Sequence, residues 1–122
     1  MDRSSEINIR RLGLVPYGKA LRLQEAARDR VLSGGSDELL LLEHPPVVTI
    51  GRRGGEFDAE ALDALGTEVV KTDRGGLATW HGPGQLVGYP IVNLRRRNMG
   101  VADLVQRLGI AMRETCMAIP SL

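Results

Sequence analysis

Hydrophobic and polar positions along the chain switch period several times, and each switch marks an element. Ile7 and Ile9 alternate with polar residues and lead to Leu12 and Leu14, which predicts a first strand interrupted at Arg10-Arg11. From Tyr17 to Ser33 the period becomes helical: Ala20, Leu23, Ala27 and Val31 share one face, and Gly34-Gly35 ends the run. The run "DELLLLEHPPVVTIG" is continuously apolar, as a strand covered on both faces would be. Pro45-Pro46 interrupts any ladder there, so two short strands are predicted, Glu38–Glu43 and Val47–Ile50, meeting at a kink.

A loop, "GRRGGEFD", follows, and Asp58 is placed to cap a short helix from Ala59 to Leu65 that Gly66 closes. Thr67 to Thr72 is β-branched and strand-like, and a further strand runs through Leu86–Leu94. Val101, Leu104, Val105, Leu108, Ala111 and Met112 recur at threes and fours and predict an amphipathic last helix, weakened at Gly109. That helix offers a wide apolar face close to the end of the sequence, which requires either cover from the sheet or further chain. Strands and helices alternate in part, giving an α/β or α+β fold: a mixed sheet with flanking helices.

Composition narrows the function classes. The 122 residues fit one domain, 43% apolar and 25% charged. Sixteen basic against fifteen acidic residues, net +1, offer no broad electrostatic footprint for nucleic acid. Arg95-Arg96-Arg97 lacks interleaved aromatics and reads as a solvated turn after a strand. One cysteine excludes an internal disulfide and points to a reducing, cytoplasmic setting. No secretory h-region and no apolar run of about 20 residues suggest a signal or a membrane span.

Candidate chemistry concentrates in Arg74–Pro90, "RGGLATWHGPGQLVGYP", which holds five glycines, two prolines, the single tryptophan and one of two histidines. Two readings stand here. One is a hairpin whose glycines supply positive φ, and the other is a ligand-lining wall approached closely by backbone. Gly82, Gly84 and Gly88 miss the dinucleotide fingerprint by one residue and lead into a strand, and no phosphate loop is present. His81 is open to a structural or a functional role, and the structural role is favoured for His44. Two distant histidines and one cysteine make a poor metal site. Cys116, beside Met112, Met117 and Ile119, reads as a small packed hydrophobe. Asp73-Arg74 could be a catalytic pair, but an ion pair or a loop-anchoring arginine is the commoner role. "GRRGG" and "DRGG" echo each other after strands without forming a repeat.

"LLLLEHPPVVTIGRR" followed by "DRGGLATWHGPGQLVGYPIVNL", with the earlier "VPYGKALRLQ", resembles the octanoyltransferases of lipoate biosynthesis across essentially the whole chain. The resemblance implies the α/β core shared with lipoate- and biotin-protein ligases. It implies octanoyl transfer from octanoyl-acyl carrier protein, through a cysteine thioester, to a lysine of a lipoyl-domain protein. Acceptors of that kind are 2-oxoacid dehydrogenases and the glycine-cleavage H protein, and no metal or nucleotide is implied. By the same resemblance Arg74, Gly75, Gly76, Leu77, Ala78, Thr79, Trp80 and His81 form the acyl-binding segment. Gly75 and Gly76 would admit the eight-carbon chain, and His81 would sit near the reacting carbonyl. Tyr17 and the Arg52–Gly55 loop would border the pocket.

The family's nucleophilic cysteine lies in a Pro-Cys-Gly motif with an activating lysine before it, and both fall downstream of the segments matched here. Cys116 has Thr115 and Met117 as neighbours, and the only lysines, Lys19 and Lys71, lie in unrelated contexts. No catalytic residue is therefore expected within residues 1–122, which read as a single incomplete catalytic domain, inactive alone. An acyl-binding subunit, a non-catalytic relic and an ATP-using ligase relative are the alternatives.

Overall fold

The computed structural model describes residues 6–120. The chain runs β1 (Ile7–Leu14), α1 (Tyr17–Leu32), β2 (Asp37–Glu43), β3 (Val47–Ile50), α2 (Ala59–Ala64), β4 (Glu68–Lys71), β5 (Ala78–His81), β6 (Val87–Ile91) and α3 (Val101–Met117). The predicted elements are all present, with β1 and β3 as predicted and most other ends within three residues, and β5 is a strand that was not predicted.

Two three-stranded sheets form, in the orders β1-β2-β6 and β4-β3-β5. Each contains a parallel pair joined through a helix: β1 with β2 through α1, and β3 with β4 through α2. Each adds one antiparallel strand, β6 on β2 and β5 on β3. The interruption in β1 is a register shift between Arg11 and Gly13, where Gly13 takes a φ of +72°.

Hydrophobic cover follows the periodicity. Ala20, Ala27 and Val31 of α1 are buried, as are Leu40 and Leu42 of β2 and all four residues of β3. Asp58 caps α2, its carboxylate accepting from the Ala61 N–H at 3.0 Å.

Three expectations are corrected. First, Trp80-His81 and Val87–Ile91 do not form a hairpin. β5 pairs with β3 while β6 pairs with β2, so Gly82–Leu86 crosses from one sheet to the other. Second, Arg95–Arg97 is a turn with Arg95 exposed, but Arg96 and Arg97 are not freely solvated. Arg96 and Arg97 both pair with Asp37, which is 0% exposed. Third, Cys116 is exposed on α3, a helix with no buried residue at all; Val101, Val105, Met112 and Met117 also stand exposed on it.

Candidate functional site at the sheet-to-sheet corner

The two crossings between sheets lie side by side, and this builds the site. β2 passes to β3 through His44-Pro45-Pro46, while β5 passes to β6 through Gly82–Leu86. Val47 pairs with His81 on one side of the corner and Leu42 with Val87 on the other. Two histidines 37 positions apart in sequence (81 − 44) are thereby brought ring to ring, with centroids 5.8 Å apart. Tyr17, from the start of α1, lies 5.3 Å from His44, and Tyr89, from β6, lies 5.9 Å from it.

Hydrogen bonds fix the proton positions. His44 is 0% exposed, and its Nδ1 lies 2.8 Å from the Val15 carbonyl oxygen. A carbonyl only accepts, so Nδ1 carries the proton and Nε2 accepts from the Tyr89 hydroxyl at 2.8 Å. Burial pushes the His44 imidazole below its ordinary value, the Val15 carbonyl opposes that, and the neighbouring His81 adds to it. Burial pushes the Tyr89 phenol up to about 12 and also raises Tyr17, against the pull of the Arg74 charge.

His81 differs in having one ring nitrogen engaged. Its Nδ1 meets Gln85 Oε1 at 2.5 Å, and the Gln85 amide nitrogen faces the Trp80 carbonyl at 3.4 Å, which orients the amide. Among the described residues, Nε2 of His81 has no hydrogen-bond partner, leaving its lone pair for a ligand. The corner is tied once more where the Gly84 N–H donates to the Glu43 carboxylate.

The glycine-rich loop beside His81 is held by Arg74. Its guanidinium donates to the Thr49 carbonyl and hydroxyl, both at 2.7 Å, and to the Gly75 carbonyl at 2.9 Å. Arg74 is thus a loop anchor, and it makes no ion pair with Asp73 among the described residues. Backbone bonds from Gly51, Arg52 and Arg53 to Leu77, Arg74 and Gly76 carry the β3–β5 ladder onward into both loops. The Arg52–Gly55 loop therefore lies against Arg74–Leu77. Gly51 is obligatory there, because a Cβ would run into the Gly76 carbonyl and come within 2.9 Å of the Gly75 carbonyl. Gly76 has a φ of +90°, and a Cβ at Gly75 would meet only the Arg52 guanidinium, at 3.8 Å.

Not all of Arg74–His81 faces one way. Side chains alternate along β5, so Ala78 and Trp80 turn to the α2 side, opposite Ile50 and Val48. There, with Phe57, Ala61 and Leu62, they line a groove of about 330 Å³. Thr79 and His81 belong to the opposite face, with Thr49 and Val47. Trp80 folds its indole over Gly82, where any Cβ would clash. A larger groove, about 760 Å³, lies between α1 and the segment after β6 and includes neither histidine. Chemistry therefore places the candidate site at the His81 corner.

Glu43 and Thr49 were not identified from sequence as parts of this site, and Gln85 and Tyr89 lay within the Arg74–Pro90 stretch without a role of their own. A signal was available: "EHPP" and "HGPG" both put a histidine at a strand end immediately before a proline-bearing turn. No cluster of three metal-ligating side chains occurs among the described residues.

Fold and corner together describe an α/β domain with a histidine–tyrosine site beside a glycine-rich loop. Residues 16–118 match the lipoyl protein ligase A/B catalytic domain, and the chain belongs to that family. The octanoyltransferase of Mycolicibacterium smegmatis is 50% identical over 113 residues, 93% of this chain and 48% of that protein. The octanoyltransferase of Mycobacterium tuberculosis H37Rv is 50% identical over 115 residues, 94% of this chain and 48% of that protein. The chain thus spans about half the length of the curated relatives it matches. A T. acidophilum protein assigned as a lipoate protein ligase, solved with bound lipoic acid, superposes with a TM-score of 0.45 at 20% identity. That superposition covers 66% of this chain and 35% of the other.

Proposed function

We propose that this chain supplies the acyl-binding part of an octanoyltransferase site. The octanoyl chain runs along the Gly75–Gly76 loop, which Arg74 anchors, and its carbonyl lies at His81. Leu77, Ala78 and Thr79 continue that wall, and Trp80 braces it from the α2 side. The donor is octanoyl-acyl carrier protein. A cysteine thiol, its proton taken by the activating lysine, attacks the thioester carbonyl. The enzyme C–S bond forms, the carrier's C–S bond breaks, and the carrier sulfur takes up that proton and leaves as the thiol. The ε-amine of a lysine on a lipoyl-domain protein then attacks the enzyme thioester. The amide C–N bond forms, the C–S bond breaks, and the amine proton returns to the cysteine sulfur. The thioester is already activated, so the transfer consumes neither metal nor nucleotide.

The observation that carries this reading is His81 itself, with Nδ1 committed to Gln85 and Nε2 open beside an anchored glycine loop. Among the described residues neither Cys116 nor Lys19 nor Lys71 hydrogen-bonds to His81, and none of them is assigned as the nucleophile or the activating lysine. No helix among the described residues is long and apolar enough to cross a membrane, and the single cysteine suits the cytoplasm.

The test is incubation of the chain with octanoyl-acyl carrier protein and a lipoyl-domain acceptor, followed by mass spectrometry and amide NMR. The expected result is perturbation at Gly75, Gly76 and His81 with no acylated acceptor. An acid-stable octanoyl adduct on Cys116 would overturn the placement of the nucleophile. Formation of lipoyl-AMP from lipoate and ATP would instead assign the chain to ligase chemistry.

A further inference from the structure

The corner contains a second histidine that the proposed chemistry does not use. His44 is sealed from solvent with both ring nitrogens engaged, Nδ1 to the Val15 carbonyl and Nε2 to the Tyr89 hydroxyl. Rotating its ring would break both bonds, so the imidazole is fixed in plane and tautomer. His81 has only one polar restraint, through Gln85. Its other restraint is the His44 ring, 5.8 Å away and tilted by 58°.

We propose that His44 is a positioning residue: an immobile imidazole, tied to β6 by Tyr89, against which the His81 ring is held with its Nε2 free. This rests on the reading that His81 meets the acyl carbonyl. The groups around His44 suit a fixed wall. Tyr17 covers it from α1 and Tyr89 from β6. His81 faces it from β5, and the Glu43 carboxylate is engaged by the Gly84 N–H. Arg74 acts on Tyr17 and not through an ion pair at the corner. Both His44 nitrogens are engaged, whereas His81 has one nitrogen engaged, by Gln85.

The test is ring-nitrogen NMR of the full chain labelled at histidine, for the wild type, Tyr89→Phe and His44→Asn. In the wild type His81 shows one protonated and one unprotonated ring nitrogen, with Nδ1 carrying the proton. His44→Asn keeps an N–H directed at the Val15 carbonyl but removes the ring, so fold and positioning separate. In both variants the amide spectrum stays dispersed while the two His81 ring nitrogens move toward a common, tautomer-averaged position. An unchanged His81 pattern in both folded variants overturns the proposal, and if His44→Asn does not fold, Tyr89→Phe alone decides it. Titration with an octanoyl-pantetheine thioester forms a separate arm. Perturbed His81 signals in the wild type support the acyl reading. Their absence overturns that reading alone, because the ring-nitrogen pattern across the variants is measured without ligand.

Discussion

Replacing Asp37 tests whether the Arg95–Arg97 segment is structural. The carboxylate is fully buried at the start of β2, and it accepts from the Asn93 N–H and the Arg96 guanidinium, both at 2.8 Å. Arg97 pairs with its second oxygen. The two arginine side chains are 22% and 18% exposed, so both depend on this partner more than surface residues would. Removing one member of a buried ion pair costs about 3–5 kcal/mol, because the charge left behind has lost its solvent. Asp37→Asn keeps an acceptor for Asn93 and Arg96, and the guanidiniums retain some water, so its cost is expected at about 2–3 kcal/mol. Asp37→Leu should reach the full range. Against a total stability on the order of 5–15 kcal/mol, either loss is large.

Urea denaturation followed by circular dichroism measures this as a lower midpoint at unchanged slope. The acid limb supplies a second measurement. Burial alone would raise the Asp37 carboxyl, yet the Asn93 N–H and the Arg97 and Arg96 guanidiniums hold it below its ordinary value. A depressed carboxyl stabilises fully above its unfolded value, about pH 4, and that contribution disappears as pH falls through the folded value. Asp37→Asn should flatten this limb. A midpoint within about 0.5 kcal/mol of wild type would match a solvated turn and refute the reasoning.

Gly51→Ala drives a methyl into two carbonyls, and its expected cost of about 1–3 kcal/mol should appear as faster amide exchange at Arg52 and Arg53. Burial lowers the His44 imidazole, so its folded value lies below its unfolded value of about 6.5. Stability is then complete above that pH and declines as pH falls from it toward the folded value, and a pH series with His44→Asn should lack the decline. The exposed apolar face of α3 should drive association, so Val105→Glu with Met112→Lys is expected to lower the mean mass in sedimentation. A monodisperse wild-type monomer would contradict that prediction.

Local pattern was enough to place every element but β5. Helical spacing in α1 and α3, the proline pair after β2 and the Asp58 cap act over a few residues, within reach of periodicity and propensity. The motif Arg74–Pro90 was also legible as a whole, as was its family. Strand partnership was not legible. Gly82-Pro83-Gly84 has the composition of a hairpin turn, but β5 and β6 pair with β3 and β2, strands far earlier in the chain. Local composition cannot register that pairing.

The same holds for the charged residues. Arg96 and Arg97 look solvated until Asp37, some sixty positions earlier, is buried beneath them. His44 and His81 are unrelated in sequence, and only two adjacent crossings between sheets bring their rings together. The sequence by itself determined most of the helices and strands and the motif that carries the family. Tertiary structure decided how His81 is held, because burial and pairing across distant segments set tautomers, ion pairs and faces.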